Sequence, residues 1–275
     1  MTDEGSIIPG IAAETHFAEG LVRLFRGGHL ATLNLNRPEK LNALTPPMIG
    51  GIEEAVDAIE ADGEVRVVIL TSSGERAFCV GADIGAWSDL QPLDMWRRWV
   101  REGHRVFDRL ARLRQPLIAV VDGHALGGGL ELAAAADLRI VEAHARLGLP
   151  EAGIGTVPGW SGTQRLVRRV GPQAVRRLAL TGEPIAAHEA LRLGLADEVC
   201  ETGAGLLRAQ ELAKAIASRA PVSVQLVKQL INAAEGEETA SAVEAMAGAL
   251  AAFTEDGREG VASFREKRSP DFRNR

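Results

Sequence analysis

The chain has 275 residues, 46% of them hydrophobic and 25% charged, with a net charge of −6. That length suits one large domain, or one domain with a helical appendage. The acidic balance gives no global basic field for nucleic acid or an anionic membrane, so a polyanionic ligand would have to be held by local Arg, Lys and backbone N–H groups.

Cys79 and Cys200 are the only cysteines. Their spacing suggests neither metal nor a disulfide framework, which points to a reducing cytoplasm. The N-terminus, MTDEGSIIPGIAAETHF, lacks the basic start and continuous apolar core of a signal or transit peptide. No apolar run approaches the length of a membrane span.

In chain order, residues 1–18 read as a loosely held tail. Leu21 to Phe25 and Leu30 to Leu35 flank Gly27-Gly28, a hairpin pattern. Asn36 to Lys40 is a loop, since Pro38 turns its predecessor away from helix. Ile49, Ile52, Val56 and Ile59 recur at helical spacing between Met48 and Ala61. The β-branched run Val65 to Thr71 predicts a strand buried on both faces.

Residues 87–113 are helical in pattern and carry Trp87, Trp96 and Trp99. Leu117 to Val121, Leu138 to Val141 and Leu147 to Leu149 read as strands. Ser161-Gly162-Thr163-Gln164 fits a capping box that opens a helix ending at Gly171-Pro172. Helices are expected over 172–180 and 186–193, and beyond Gly203 every pattern is helical: 205–219, 222–234, 238–254 and 257–267.

The six histidines form no HExxH pair or tight cluster with Cys, so no metal site is expected. GWSG at 159–162 is not a nucleophile elbow, and neither a P-loop nor a Rossmann glycine fingerprint is present. What remains is two glycine-bearing turns that open helices, around Ala82 and Gly128, and two carboxylates, Glu131 and Glu151. Singly, each has a bland reading as an ordinary turn or a solvated side chain. Together they make a coherent site. N–H donors from two turns can hold one oxygen that gains negative charge. Two carboxylates beside it can divide acid and base work if their environments separate their pKa values.

Several segments carry a family resemblance. They are LNRP with LNAL (35–44), AFCVGADI (77–84), PLIAVVDGHALGGGLELA (116–133), LGLPEAGIGTVPGWSGTQRLVRRVG (147–171), LTGEPIAAHEALRLGLADEV (180–199) and GVASFREKR (260–268). Together they resemble the enoyl-CoA hydratase/isomerase (crotonase) superfamily from about Leu21 to Phe272.

The resemblance implies a crotonase-like α/β spiral of ββα repeats over residues 19–202, after the 1–18 tail. A helical trimerisation region over 203–275 would follow, assembled as a homotrimer or dimer of trimers. It implies enoyl-CoA hydratase activity on an acyl-CoA, with no cofactor beyond the coenzyme A of the substrate, and no nucleic-acid or membrane partner. Glu131 and Glu151 match the two catalytic glutamates, and Ala82 and Gly128 the N–H donors of the oxyanion hole. Gly159 matches a glycine that helps hold the catalytic water. Asp83 and Ile84, which follow Ala82, and Lys40 join the substrate- and coenzyme A-binding set. Phe264 and Lys267 match residues that reach the coenzyme A of a neighbouring subunit.

Retention of both glutamates favours hydration; an isomerase or another acyl-CoA enzyme on the same scaffold is the alternative, and a non-catalytic acyl-CoA- or RNA-binding paralogue is a third reading. Trp160 stands where many hydratases carry small residues, so its indole narrows the expected acyl pocket. Trp87, Trp96 and Trp99 lie in the variable region that shapes this pocket, with core packing as the competing explanation. His124 reads as a partly buried polar loop residue. Arg165, Arg168, Arg169, Arg176 and Arg177 read as solvated or paired at subunit contacts.

Overall fold

The computed structural model describes residues 13–237 and 239–275. The chain divides into two compact units, residues up to Gln225 and Leu226–Arg275.

Among the described residues the first unit contains ten strands: β1 (Ala13–Phe17), β2 (Val22–Gly27), β3 (Leu30–Leu35), β4 (Val67–Ser72), β5 (Leu117–Val121), β6 (Ala125–Leu126), β7 (Leu138–Glu142), β8 (Arg146–Gly148), β9 (Ile185–Ala186) and β10 (Glu198–Cys200). Seven make one sheet in the order β1-β2-β3-β4-β5-β7-β10, and β6, β8 and β9 make a small second one. β1, β2 and β3 are antiparallel, and Gly28 supplies the positive φ of 58° at the hairpin turn. From β3 onward every pairing in the large sheet is parallel. Parallel neighbours need crossovers, usually helical. α1 (Pro46–Ala61) links β3 to β4, and Thr45 caps it by accepting from the Met48 N–H. α2 (Ile84–Trp87), α3 (Pro92–Asp94), a π-helical stretch Met95–Val100 and α4 (Arg101–Ala111) lie between β4 and β5. α5 (Gly128–Ala134) precedes β7, while α6 (Gly162–Thr181) and α7 (Ala187–Leu193) precede β10.

Alternation along the central strands decides the layering. Val68, Leu70, Leu117, Ala119 and Val121 join the large core shared with α1, α4 and α5. Val67, Ile69, Ile118 and Val120 face a second apolar cluster containing Ala209 and Ala213 of α8 (Gly205–Ala217). Both faces are therefore buried, as the uninterrupted apolar runs predict.

Several expectations need correction. Residues 13–17 are not tail but a strand, paired with β2 from Ala13 opposite Arg26 to Phe17 opposite Val22. Residues 1–12 of the expected tail lie outside the described ones. The boundary after 202 also moves. α8 packs on β4, β5 and β7 and so belongs with the sheet, and the division falls at Gln225. The helical pattern over 87–113 is broken at residues 88–91. Ser161 precedes α6 but its side chain does not cap it. As expected, the helix that opens at Gly162 stops at Gly171, whose φ of 79° and ψ of 160° are not helical, and a second begins at Pro172, so α6 is two helical segments end to end. β9 and β10 were not foreseen; they are only two and three residues long.

α9 (Pro221–Ala234) is followed by α10 (Thr239–Phe253) and α11 (Glu255–Glu266) in the second unit. Its C-terminal tail folds back on α11. Glu259 pairs with Arg268 and accepts from the Asp271 N–H, and Asp256 accepts from the N–H groups of Arg273 and Asn274. No helix among the described residues is long and apolar enough to cross a membrane.

Candidate active site

The stretch 77–83 is strapped on two sides. Buried Asn42 donates to the carbonyls of Ser73 and Ala77 at 3.0 and 2.9 Å. Leu44 donates to Gly81 O, and Asp83 donates to Leu44 O, both at 2.8 Å. That bridge consumes the groups on either side of Ala82 and leaves the Ala82 N–H on the opposite edge. It donates to no other group among the described residues.

On the other side, Leu126 N–H donates to Cys79 O at 3.0 Å. Gly127 then turns the chain with φ 53°, and α5 starts at Gly128, whose N–H is one of the unpaired donors of a helix N-terminus. The two turns abut: a Cβ added at Gly81 would lie 2.9 Å from Gly128 N. Gly81 itself has φ +96°, so a side chain is excluded there by space and by backbone conformation. Ala82 and Gly128 thus bring two free N–H groups to one cavity, which both line.

That cavity measures about 260 Å³ and also receives Glu131, Glu151 and Gly159. Glu131, in the first turn of α5, is 2% exposed. Its Oε1 accepts the N–H groups of Trp160 and Gly162 at 2.8 and 2.9 Å. Burial pushes its pKa upward, while these amides and that of Gly159 pull it back by solvating the charged form.

Glu151 follows Pro150 in a 3-10 turn, Glu151–Ile154. Its carboxyl sits against Gly127, where a Cβ would come within 3.0 Å of Oε1. Oε2 is buried without a hydrogen-bond partner among the described residues. Burial, with a smaller push from the Glu131 charge, raises its pKa to about 7. The two acids therefore differ in kind: Glu131 is held by main-chain donors, and Glu151 sits in an apolar niche that favours its protonated form.

Trp99 and Trp160 line the same cavity, in edge contact at 5.2 Å between ring centroids. Phe107 meets Trp160 from behind at 5.3 Å. Trp160 fills the space over Gly103, where a Cβ would lie 2.2 Å from its Nε1. Trp87 also lines the cavity, while Trp96 is exposed with Arg97 over its ring at 5.7 Å. Core packing and pocket shaping are thus one role for Trp99 and Trp160, and neither applies to Trp96.

Ile84 lines the mouth. Asp83 has local work: it caps α2 through the Gly85 N–H and pairs with Arg37 at 2.5 Å, which holds its carboxyl below the usual range. Lys40 is exposed and close enough to add to that lowering. Phe264 and Lys267 belong to the second unit; Phe264 is 85% exposed and Lys267 ends α11 in a left-handed turn.

His124 is half-buried with its pKa lowered by burial. Arg165 departs from the solvated reading: it is 3% exposed and pairs with Asp108 at 2.6 Å. The amides of Trp160 and Gly162 as partners of Glu131, and the contact of Asp108 with Ser161, were missed from the sequence. Side-chain spacing carries no signal for them, since the first is main chain and the second joins residues far apart.

Residues 26–275 match the family model described as enoyl-CoA hydratase/isomerase. The chain is 42% identical over 257 residues to the short-chain-enoyl-CoA hydratase of Clostridium acetobutylicum, covering 92% of this chain and 98% of that one. It is 39% identical over 247 residues to the crotonyl-CoA hydratase of Syntrophomonas wolfei, covering 88% and 94%. The crystal structure of enoyl-CoA hydratase from Bacillus anthracis superposes with a TM-score of 0.77 at 33% identity, covering 93% of this chain and all of that one. Agreement of this extent in sequence and fold places the chain in the enoyl-CoA hydratase/isomerase family.

Proposed function

We propose that this enoyl-CoA hydratase adds water across the α,β double bond of a short 2-enoyl-CoA, with Glu131 as base and Glu151 as acid. The observation that carries the reading is the division of the carboxylates, one bound by main-chain N–H groups and one in an apolar niche, beside two free amides. Glu131 takes a proton from water as the water oxygen bonds to Cβ. The electron pair of the double bond moves toward the thioester, and the N–H groups of Ala82 and Gly128 hold the enolate-like oxygen. Removing one such donor in other enzymes costs about 2.7–4 kcal/mol. Glu151 then delivers its proton to Cα, giving the 3-hydroxyacyl-CoA. Glu131 is left protonated and Glu151 ionised, and proton exchange resets the pair.

The chemistry requires no cofactor besides the coenzyme A carried by the substrate. Lys40 and Ile84 are assigned to the coenzyme A portion of the substrate. Phe264 and Lys267 are assigned to the coenzyme A of a neighbouring subunit in a cytoplasmic homotrimer or dimer of trimers. Incubation with crotonyl-CoA should lower the absorbance of the conjugated thioester until the hydration equilibrium is reached. An unchanged spectrum, with double-bond migration in a 3-enoyl-CoA, would instead establish an isomerase.

Hydration should also fall as pH rises through about 7, where Glu151 loses its proton. The fall on the acid side reports protonation of Glu131. In Glu151→Gln the alkaline limb of kcat/KM should disappear; its persistence would assign the proton donor elsewhere.

Trp99 and Trp160 meet edge to edge in the lining of a cavity of about 260 Å³, which supports a short acyl chain as the substrate. The names of the Clostridium and Syntrophomonas relatives, short-chain-enoyl-CoA and crotonyl-CoA hydratase, agree with this. Crotonyl-CoA should exceed decenoyl-CoA in kcat/KM by at least about tenfold, the order of discrimination that surplus methylene groups cause in a closed apolar pocket. Met95 lines the cavity, so Met95→Ala should narrow that gap. Equal turnover of both substrates by the wild type would show that the tryptophans do not limit the chain.

A further inference from the structure

The two amides that bind Glu131 flank Ser161, and Ser161 is held in a left-handed conformation, with φ 73° and ψ 0°. Non-glycine residues adopt that region uncommonly, and glycine is the usual occupant. Ser161 is buried, and its hydroxyl does not cap α6. Instead it donates to Asp108 Oδ1 at 2.8 Å. The same oxygen accepts from Arg165 Nη2 at 2.6 Å, and the Arg165 N–H donates to Ser161 O at 3.1 Å. Ser161, Asp108 and Arg165 therefore close a ring around the turn that presents Trp160 and Gly162 to the base.

α4 supplies three supports for this turn. Gly103 makes room for the Trp160 indole, Phe107 packs edge-on against it, and Asp108 takes the Ser161 hydroxyl. Asp108 does not line the cavity that holds Glu131 and Glu151. The titratable and charged groups facing Asp108 are His104 and Arg112 on its own helix, at 3.4 and 3.7 Å, and Arg165 from α6. Those facing Glu131 are Glu151 and Arg165. Arg165 thus lies between the brace and the base.

We propose that Asp108 is a positioning residue for the catalytic base. Through Ser161 and Arg165 it keeps the 160–162 turn left-handed, so that two main-chain N–H groups converge on one oxygen of Glu131 and leave the other for water. This rests on the reading of Glu131 as the base. Without the brace the turn relaxes toward ordinary backbone angles and the two amides separate. Glu131 then loses both its aim and its main-chain partners. A carboxylate that loses N–H donors binds its proton more tightly, so the acid limb of the pH profile must move to higher pH.

The test compares Asp108→Ala and Ser161→Ala with the wild type, using crotonyl-CoA across pH. Each should lower kcat by about tenfold to a hundredfold, the scale of loss when a reacting group is misplaced by about an ångström. KM should change little, and the acid limb should move upward. Ser161→Gly should lose less than Ser161→Ala, because glycine adopts the left-handed conformation unaided. Ser161→Ala leaves the Asp108–Arg165 pair in place, and so carries the test if Asp108→Ala does not fold.

An unchanged acid limb and kcat in folded Ser161→Ala, with only a lower melting temperature, would overturn the proposal. The Glu131→Gln background separates the two readings. If Glu131 is the base and Asp108 acts through it, Asp108→Ala should cost no more than about threefold further in that background. A full additional loss there would overturn the positioning role while leaving the base intact. Near-normal turnover by Glu131→Gln alone would remove the base assignment, and the proposal with it.

Discussion

Glu151→Gln should lower crotonyl-CoA hydration by about 10²–10⁴-fold, the usual contribution of a positioned acid or base. Acyl-CoA affinity should remain within a few-fold of the wild type, because the proposed role of the carboxyl is proton transfer and not ground-state binding. Glu131→Gln should lower turnover similarly. The double substitution should cost much less than the product of the two, since groups that act in one step are not additive. Steady-state rates with each variant and equilibrium binding of a saturated acyl-CoA check all three statements. Turnover near that of the wild type in Glu151→Gln would remove it as the acid.

Stability distinguishes a chemical loss from a folding loss. Burial raises the folded pKa of Glu151 to about 7, well above the ordinary glutamate range, so the folded state holds this proton more tightly than the unfolded chain. Its contribution is present below the unfolded value and is lost as pH rises toward the folded one. At pH 8 the wild type carries an ionised carboxylate in an apolar niche. Glu151→Gln removes that charge and should be the more stable protein there, with the advantage shrinking as pH falls through about 7 and gone below the unfolded value. Thermal unfolding at the two extremes measures it. An inactive variant that is more stable than its parent cannot owe its inactivity to unfolding.

How far the sequence could carry these arguments depended on where the determining contacts lie. Val67 to Leu70 are legible as a central strand because both faces are buried, and an unbroken apolar run is the consequence. Gly127 to Gly129 before an apolar helix likewise displays its purpose, since close backbone approach requires the missing side chains. Ala13 to Phe17 was not legible. An edge strand with one neighbour can carry Glu14, Thr15 and His16, and its order comes from pairing with β2. α8 could be read as a helix, but its periodicity does not reveal what Ala209 and Ala213 face. Ser161 shows the same limit at the site. Its spacing to Gln164 suggests a cap, whereas its hydroxyl goes to Asp108, 53 positions earlier. Local pattern cannot report a partner that only the tertiary fold brings near.

Gly129→Ala should reverse the ordinary sign of a glycine-to-alanine change in a helix. Within helices such a change stabilises by about 0.8–1 kcal/mol. At Gly129, however, the new Cβ would lie 1.9 Å from Cys79 O and 2.6 Å from its carbonyl carbon. Both are main-chain atoms and cannot swing aside, so α5 and the 77–83 stretch must separate. Overpacking of that kind costs about 1–3 kcal/mol, which outweighs the propensity gain. The separated parts are the two that carry the Ala82 and Gly128 amides. Losing the alignment of one such donor should lower kcat by about 10²–10³-fold. Gly50 provides the contrast, since it is helical and a Cβ there meets nothing within 4 Å. Gly50→Ala should raise the melting temperature and leave turnover alone, while Gly129→Ala lowers both. If the two variants behaved alike, the contact between the turns would not be tight enough to set the positions of the Ala82 and Gly128 amides, and the shared oxyanion site would have to be abandoned.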